Sequence, residues 1–99
     1  MARGLAFAPS PNPARGAIRL AFTRDGDLAL ADPDAPVGVR IVAINGTIAR
    51  SLTLHGVRGS NATLVWDGND AQGRSLPPGM YFIDARWGGA TVRGRIVRL

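Results

Sequence analysis

Cysteine is missing from this 99-residue chain, and so are lysine and glutamate. Without cysteine there are no disulfides and no thiolate metal sites, and the redox compartment leaves no trace in the sequence. All 12 basic residues are therefore arginine and all 7 acids aspartate, the one-sided usage of a GC-rich coding sequence. The resulting net charge of +5 invites a nucleic-acid reading. The arginines are scattered, however, apart from Arg93, Arg95 and Arg98, and no aromatic stacking platform runs between those three. No nucleic-acid partner is expected. Long apolar runs are also missing: nothing approaches the roughly 20 residues of a membrane helix, so membrane insertion is not expected. The start, "MARGLAFAPS", has no signal-peptide pattern, and export would need a signal upstream or in the domain itself.

Histidine is scarce as well. His55 stands alone in the glycine-flanked stretch "LHGVRG" with no serine or aspartate near it, the setting of a surface residue. Carboxylates come near each other only as Asp25/Asp27, Asp32/Asp34 and Asp67/Asp70, all in turn contexts where aspartate is favoured. No phosphate loop, dinucleotide fingerprint or His/Asp/Glu metal cluster occurs. The expectation is a protein with no catalytic residue, no metal and no cofactor.

What is abundant is turn chemistry, with 13 glycines and 7 prolines. Helical periodicity is absent, and short strand-like runs recur between turn signals. "PSPNPARG" reads as an extended lead-in. "AIRLAF" alternates Ile18, Leu20 and Phe22 against Ala17, Arg19 and Ala21, a half-buried strand. "RDGD" reads as a turn and "LALA" as a short second strand.

"VRIVAINGTIARSL" reads as a hairpin with Asn45-Gly46 in a type I′ turn. That turn opposes Ile44 to Thr47, Ala43 to Ile48, Ile41 to Arg50 and Val39 to Leu52. Its core face would carry Val39, Ile41, Ala43, Ile48 and Leu52, with the Arg50 stem packed at an edge and its head in water. After "NATLVW", a final hairpin turns at Gly88-Gly89. It places Tyr81, Ile83, Ala85, Trp87, Ala90, Val92, Gly94 and Ile96 on one apolar face and pairs Asp84 with Arg93 on the other. About seven short antiparallel strands with no helix layer predict an all-β sandwich.

The stretch "VWDGNDAQGRSLPPGMYF" is the one place with concentrated acid. As a calcium loop it is incomplete: Asp67 and Asn69 fit, but Ala71 takes the next ligand position and no glutamate follows. As a corner it is complete. Trp66 points inward, Asp67 can accept turn N–H groups, Gly68 and Gly73 supply positive φ, and Pro77-Pro78-Gly79 ends the segment before the next strand.

Taken in order, Pro11-Asn12-Pro13, the Ile18/Leu20/Phe22 strand, the Asn45-Gly46 hairpin, "LVWDGNDAQGRSLPPGMYF" and the closing "GRIVRL" resemble a known group. They resemble the immunoglobulin-like C-terminal sorting domains of the type IX secretion system of Gram-negative bacteria. The Ig-like domain of the flagellar hook-capping protein is similar, sharing the Trp66-Asp67-Gly68…Gly73…Pro78-Gly79-x-Tyr81 pattern. Thr47 departs from the basic residue many members carry, and the Ala31–Pro36 loop is longer than usual. The resemblance implies an immunoglobulin-like β-sandwich over residues 9–99. Residues 1–8 would be a linker remnant or a first edge strand.

It further implies a module that directs secretion and surface attachment of an upstream cargo domain in the same polypeptide. Its partners would be secretion-machinery proteins, and its location outside the cell or on the outer surface. A chain that stops at Leu99 just after its last strand, and opens shortly before Pro-Asn-Pro, fits that placement. The recognition residues expected on the last hairpin are Arg93, Arg95, Ile96, Val97, Arg98 and Leu99, read by strand addition or by an acidic groove. Two other readings are a structural Ig-like domain of a flagellar or extracellular assembly and a weak carbohydrate- or calcium-binding sandwich.

Overall fold

The computed structural model describes residues 4–99; residues 1–3 of the N-terminal segment lie outside it. Seven antiparallel strands form two sheets, with one short helix between the second and third. The strands are β1 (Leu5–Ser10), β2 (Ile18–Arg24), β3 (Val37–Ala43), β4 (Ile48–Leu54), β5 (Asn61–Trp66), β6 (Gly79–Trp87) and β7 (Ala90–Arg98). One sheet runs β1-β2-β5 and the other β4-β3-β6-β7. This is the all-β sandwich that the turn spacing predicts.

Each inner face follows the period of two that strands impose on side chains. β2 buries Ile18, Leu20 and Phe22, β5 buries Ala62, Leu64 and Trp66, and β3 buries Val37, Val39 and Ile41. From β6 come Tyr81, Ile83, Ala85 and Trp87, and from β7 Ile96. Large apolar side chains of this kind stabilise the fold by about 1.5–3 kcal/mol each when fully buried. The two tryptophans, both fully buried, mark opposite ends of the core. Trp66 lies opposite Ile18 at the start of β2, whereas Trp87 lies opposite Val37 at the start of β3, the end to which Arg24 also belongs.

The "LALA" stretch corrects the sequence reading. It belongs to α1 (Gly26–Ala31), a six-residue helix with no buried residue, held by Ala29 N–H to Asp25 O at 3.1 Å and Asp32 N–H to Leu28 O at 3.1 Å. Its alternation is too short to separate a strand from a helix turn, and Leu30 projects into solvent. The Asp25 carboxylate accepts the Gly4 N–H at 3.0 Å and so fastens the start of β1, which supplies the seventh strand.

The two hairpins behave differently. Around Gly88-Gly89 the observed pairs, from Trp87 with Ala90 to Tyr81 with Ile96, are those a two-residue turn dictates. Around Asn45-Gly46 only the outer pairs hold, Val39 with Leu52 and Ile41 with Arg50. Beyond them the register slips, and Val42 rather than Ala43 opposes Ile48. The cause is the turn. Gly46 N–H bonds Ala43 O, so Ile44 and Asn45 are the central residues, and only Gly46 has positive φ. That is a turn with a glycine bulge, not type I′, which needs positive φ at both centres. The Asn45 side chain sets it by accepting from Thr47 N–H and Thr47 Oγ1. Ile48 is consequently not in the core but 55% exposed.

Candidate functional site

The acidic stretch folds as one hydrogen-bonded corner. Trp66 Nε1 donates to Asn69 O at 2.9 Å, and the Asp67 carboxylate accepts Asn69 N–H at 2.9 Å. Asp70 Oδ1 accepts both Gln72 N–H and Arg74 N–H, while the Tyr81 hydroxyl donates to Pro77 O at 2.7 Å. Gly68 and Gly73 have φ of +86° and +83°, the conformation their lack of a Cβ permits. Backbone donation from Arg74, with further help from Gln72 and the Arg74 charge, holds the Asp70 carboxyl below its ordinary value of 3.8.

This corner does gather oxygens around a cation, and the cation is Arg50. Its Nη1 donates to Asp67 Oδ1 at 3.1 Å, Asn69 O at 2.9 Å and Asp70 O at 3.2 Å. The expectation that the Arg50 head stands in water is therefore wrong. Pairing with Ile41 puts Arg50 on the edge strand β4, and the turn closes over it. A calcium ion at Asp67 and Asn69 would have to displace a guanidinium that already uses their oxygens.

The last hairpin divides its six predicted recognition residues into two sets. Ile96 is fully buried, and Arg98 is only 6% exposed, its guanidinium carbon 5.4 Å from the Trp66 ring centre and its Nη1 donating to Gly16 O at 3.1 Å. A Cβ on Gly68 would stand 2.6 Å from Arg98 Nη1, so the glycine makes room for that stacking. These two residues belong to the interior, on the same strand face as Val92 and Gly94. Arg93, Arg95 and Leu99 are exposed, and Val97 is half-buried. The register opposes Arg93 to Asp84, yet the Asp84 carboxylate pairs with Arg40 from β3 at 3.1 Å instead.

Pro11-Asn12-Pro13 has a use that the sequence alone does not display. Asn12 Oδ1 accepts Val97 N–H at 2.9 Å, and Asn12 Nδ2 donates to Arg95 O at 3.4 Å. Ala14 N–H then bonds Val97 O, and Leu99 N–H bonds Ala14 O, each at 2.9 Å, as a short parallel addition to β7. The outer edge of β7 from Val97 to Leu99 is thus already covered by the chain itself. Strand addition cannot take place there.

Sequence reading also missed Arg24. It is buried, lies 4.0 Å over the Trp87 ring and donates from Nε to Gly59 O at 2.9 Å and from Nη1 to Asp32 O at 3.0 Å. The signal was its parity: Arg24 follows Phe22 by two, just as Arg98 follows Ile96 by two. His55 is exposed in its loop, and no group of three or more metal-ligating side chains occurs among the described residues. No helix among them is long and apolar enough to cross a membrane.

Two packed antiparallel sheets with a tryptophan corner at one end define an immunoglobulin-like sandwich. Among solved structures, the fold is similar over 100% of this chain to dimeric latent PorU from Porphyromonas gingivalis, with a TM-score of 0.76 and 19% identity. It is similar over 95% of the chain to FlgD from Xanthomonas campestris, a protein of flagellar hook capping, with a TM-score of 0.62 and 22% identity. This chain spans 10% of that PorU chain and 66% of that FlgD chain. By sequence, no family model and no curated protein matches it.

Proposed function

We propose that this domain is a non-enzymatic Ig-like module that directs secretion and cell-surface attachment of an upstream cargo domain through a type IX-like system. The observation that carries the reading is that the whole chain superposes on only a tenth of a much longer protein chain. That is the behaviour of a unit built to ride on another. The motif resemblance from Trp66 to Tyr81 supports the same reading, because those residues fold as a single hydrogen-bonded corner. Recognition falls to the exposed residues of the last hairpin: Arg93, Arg95, Leu99 and the half-buried Val97. The module's place is outside the cell or on its outer surface, and its partners are secretion-machinery proteins. A structural role in a hook-capping or other extracellular assembly is the second reading, favoured by the likeness to FlgD.

The test is a reporter fused upstream of the domain in a host with type IX secretion. Deleting Arg95 to Leu99 would remove buried Ile96 and Arg98 and unfold the domain, so surface charge reversal is the sharper change. Wild-type fusion should reach the surface, and R93E/R95E should cut surface reporter at least severalfold while leaving thermal stability unchanged. Equal surface reporter with and without the domain would sink the secretion reading.

A further inference from the structure

β7 is an edge strand whose outer side is only half covered. Val97 turns both its N–H and its C=O outward, to Asn12 and Ala14. The pairing of β7 with β6 runs without a register shift from Ala90 to Arg98, so every second residue shares that orientation. Thr91 and Arg93 therefore also turn their peptide groups outward, as does the Arg95 N–H. Among the described residues none of these groups has a hydrogen-bond partner. A groove lined by Phe7, Pro9, Asn12, Val92, Arg93 and Arg95 runs beside them. Its depth depends on Gly94, where a Cβ would stand 2.7 Å from Phe7 Cε2.

The same parity fixes what kind of segment fits. Arg93 and Arg95 point away from the core, while Val92 and Gly94 point towards Phe7. A strand added to this edge inherits the alternation, since side chains directly opposite lie on the same sheet face. Its residues facing Arg93 and Arg95 meet two guanidinium groups that have no carboxylate partner among the described residues. Those in between face the apolar floor of Val92 and Phe7. We infer that the Thr91–Arg95 edge of β7 takes up a short extended protein segment in which acidic and apolar residues alternate. Asn12 stops that segment at Arg95, because the edge beyond belongs to the chain's own Ala14. This deepens the proposed attachment role by stating what the last hairpin would hold, and its test does not depend on export.

The probe is the peptide acetyl-Glu-Val-Glu-Val-Glu-Val-Glu-amide, with Lys-Val and scrambled Glu-Val versions as controls, followed by NMR amide exchange on the 99-residue protein. In the free protein, the Thr91 and Arg93 amides should exchange much faster than Val97, which Asn12 protects. Millimolar Glu-Val peptide should slow the Thr91 and Arg93 amides about tenfold and leave Val97 unchanged. R93E/R95E should abolish that protection and transfer it to the Lys-Val peptide. Thr91→Pro, which removes an outward donor without touching the β6 ladder, should weaken binding while the arginines remain. The inference is overturned if Thr91 and Arg93 are protected in the free protein as strongly as Val97. It is equally overturned if the scrambled peptide protects as well, if no peptide changes these amides, or if the protein instead collects on anionic vesicles.

Discussion

The two ends of the sandwich use the same pair of residues in opposite styles. At each, a buried arginine lies against a tryptophan face, and neither guanidinium has a carboxylate partner among the described residues. At the Trp66 end Arg98 reaches the distant Gly16 carbonyl and Arg50 enters from β4, but the corner around the indole N–H comes from one continuous stretch, whose bonds fold back within a few residues. At the Trp87 end they come from distant parts of the chain: the Gly59 loop and the Asp32 loop meet on Arg24. The indole N–H shows the difference. Trp66 Nε1 is bonded to Asn69 O, whereas Trp87 Nε1 is buried with no hydrogen-bond partner among the described residues. Each end also leaves one buried guanidinium nitrogen, Arg98 Nε and Arg24 Nη2, without a partner among the described residues, so the difference lies in the indoles.

The largest expected effects test that contrast directly. Truncating either tryptophan to alanine should cost about 3–5 kcal/mol, as for large core aromatics generally. Replacement by phenylalanine should separate them, with Trp66→Phe exceeding Trp87→Phe by about 1 kcal/mol, the net worth of one hydrogen bond. Urea unfolding of the two variants measures this, and a costlier Trp87→Phe would erase the distinction. Next come two glycines, one at each end. Gly68→Ala and Gly88→Ala both force a positive φ, at about 1–3 kcal/mol. Only the first also pushes into Arg98, since a Cβ at Gly88 would meet nothing closer than 3.6 Å. Gly68→Ala should therefore lower the melting temperature more.

The smallest effect is electrostatic and confined to the Trp66 end. Because the folded Asp70 carboxyl titrates below 3.8, its contribution is full above that pH and is lost as pH falls through the lowered folded value. Asp70→Asn should flatten the acid limb of stability over that window. An unchanged limb would show that other carboxylates carry it.

The same contrast explains how far the sequence could be followed. Trp66 to Tyr81 and the Gly88-Gly89 hairpin were readable because each is closed by bonds between near neighbours, whose residue types announce them. The Asn45-Gly46 hairpin was half readable: its pairs hold as far as Ile41 and Arg50, then a bulge chosen by Asn45 and Thr47 moves Ile48 outward. α1 escaped because six residues do not distinguish one period from another. Arg24 escaped because it opens the turn-like "RDGD", and Arg98 because it ends the arginine-bearing closing strand, although strand parity places both inside. On the last hairpin, two of the six residues expected to meet a partner, Ile96 and Arg98, lie inside, and the uncovered edge of β7 was not legible. Nothing in "SPNPA" announces that Asn12 and Ala14 bond to a strand more than eighty residues later.

β1 and β7 have a mechanical consequence as well. Leu5 and Ala90 lie at the Trp87 end of the sandwich, and Ser10 and Arg98 at the other, so both strands run in the same direction. Tension applied along the chain, from Leu5 outward on one side and Leu99 outward on the other, pulls each terminal strand along its own axis. The ladders to β2 and β6 are then loaded in shear, with many bonds resisting together and none being peeled singly. The Phe7 ring seated on Gly94 and the Asn12 bridge to Val97 link the two loaded strands to each other. A domain wired in this way passes force from one end of its chain to the other before its core has to yield.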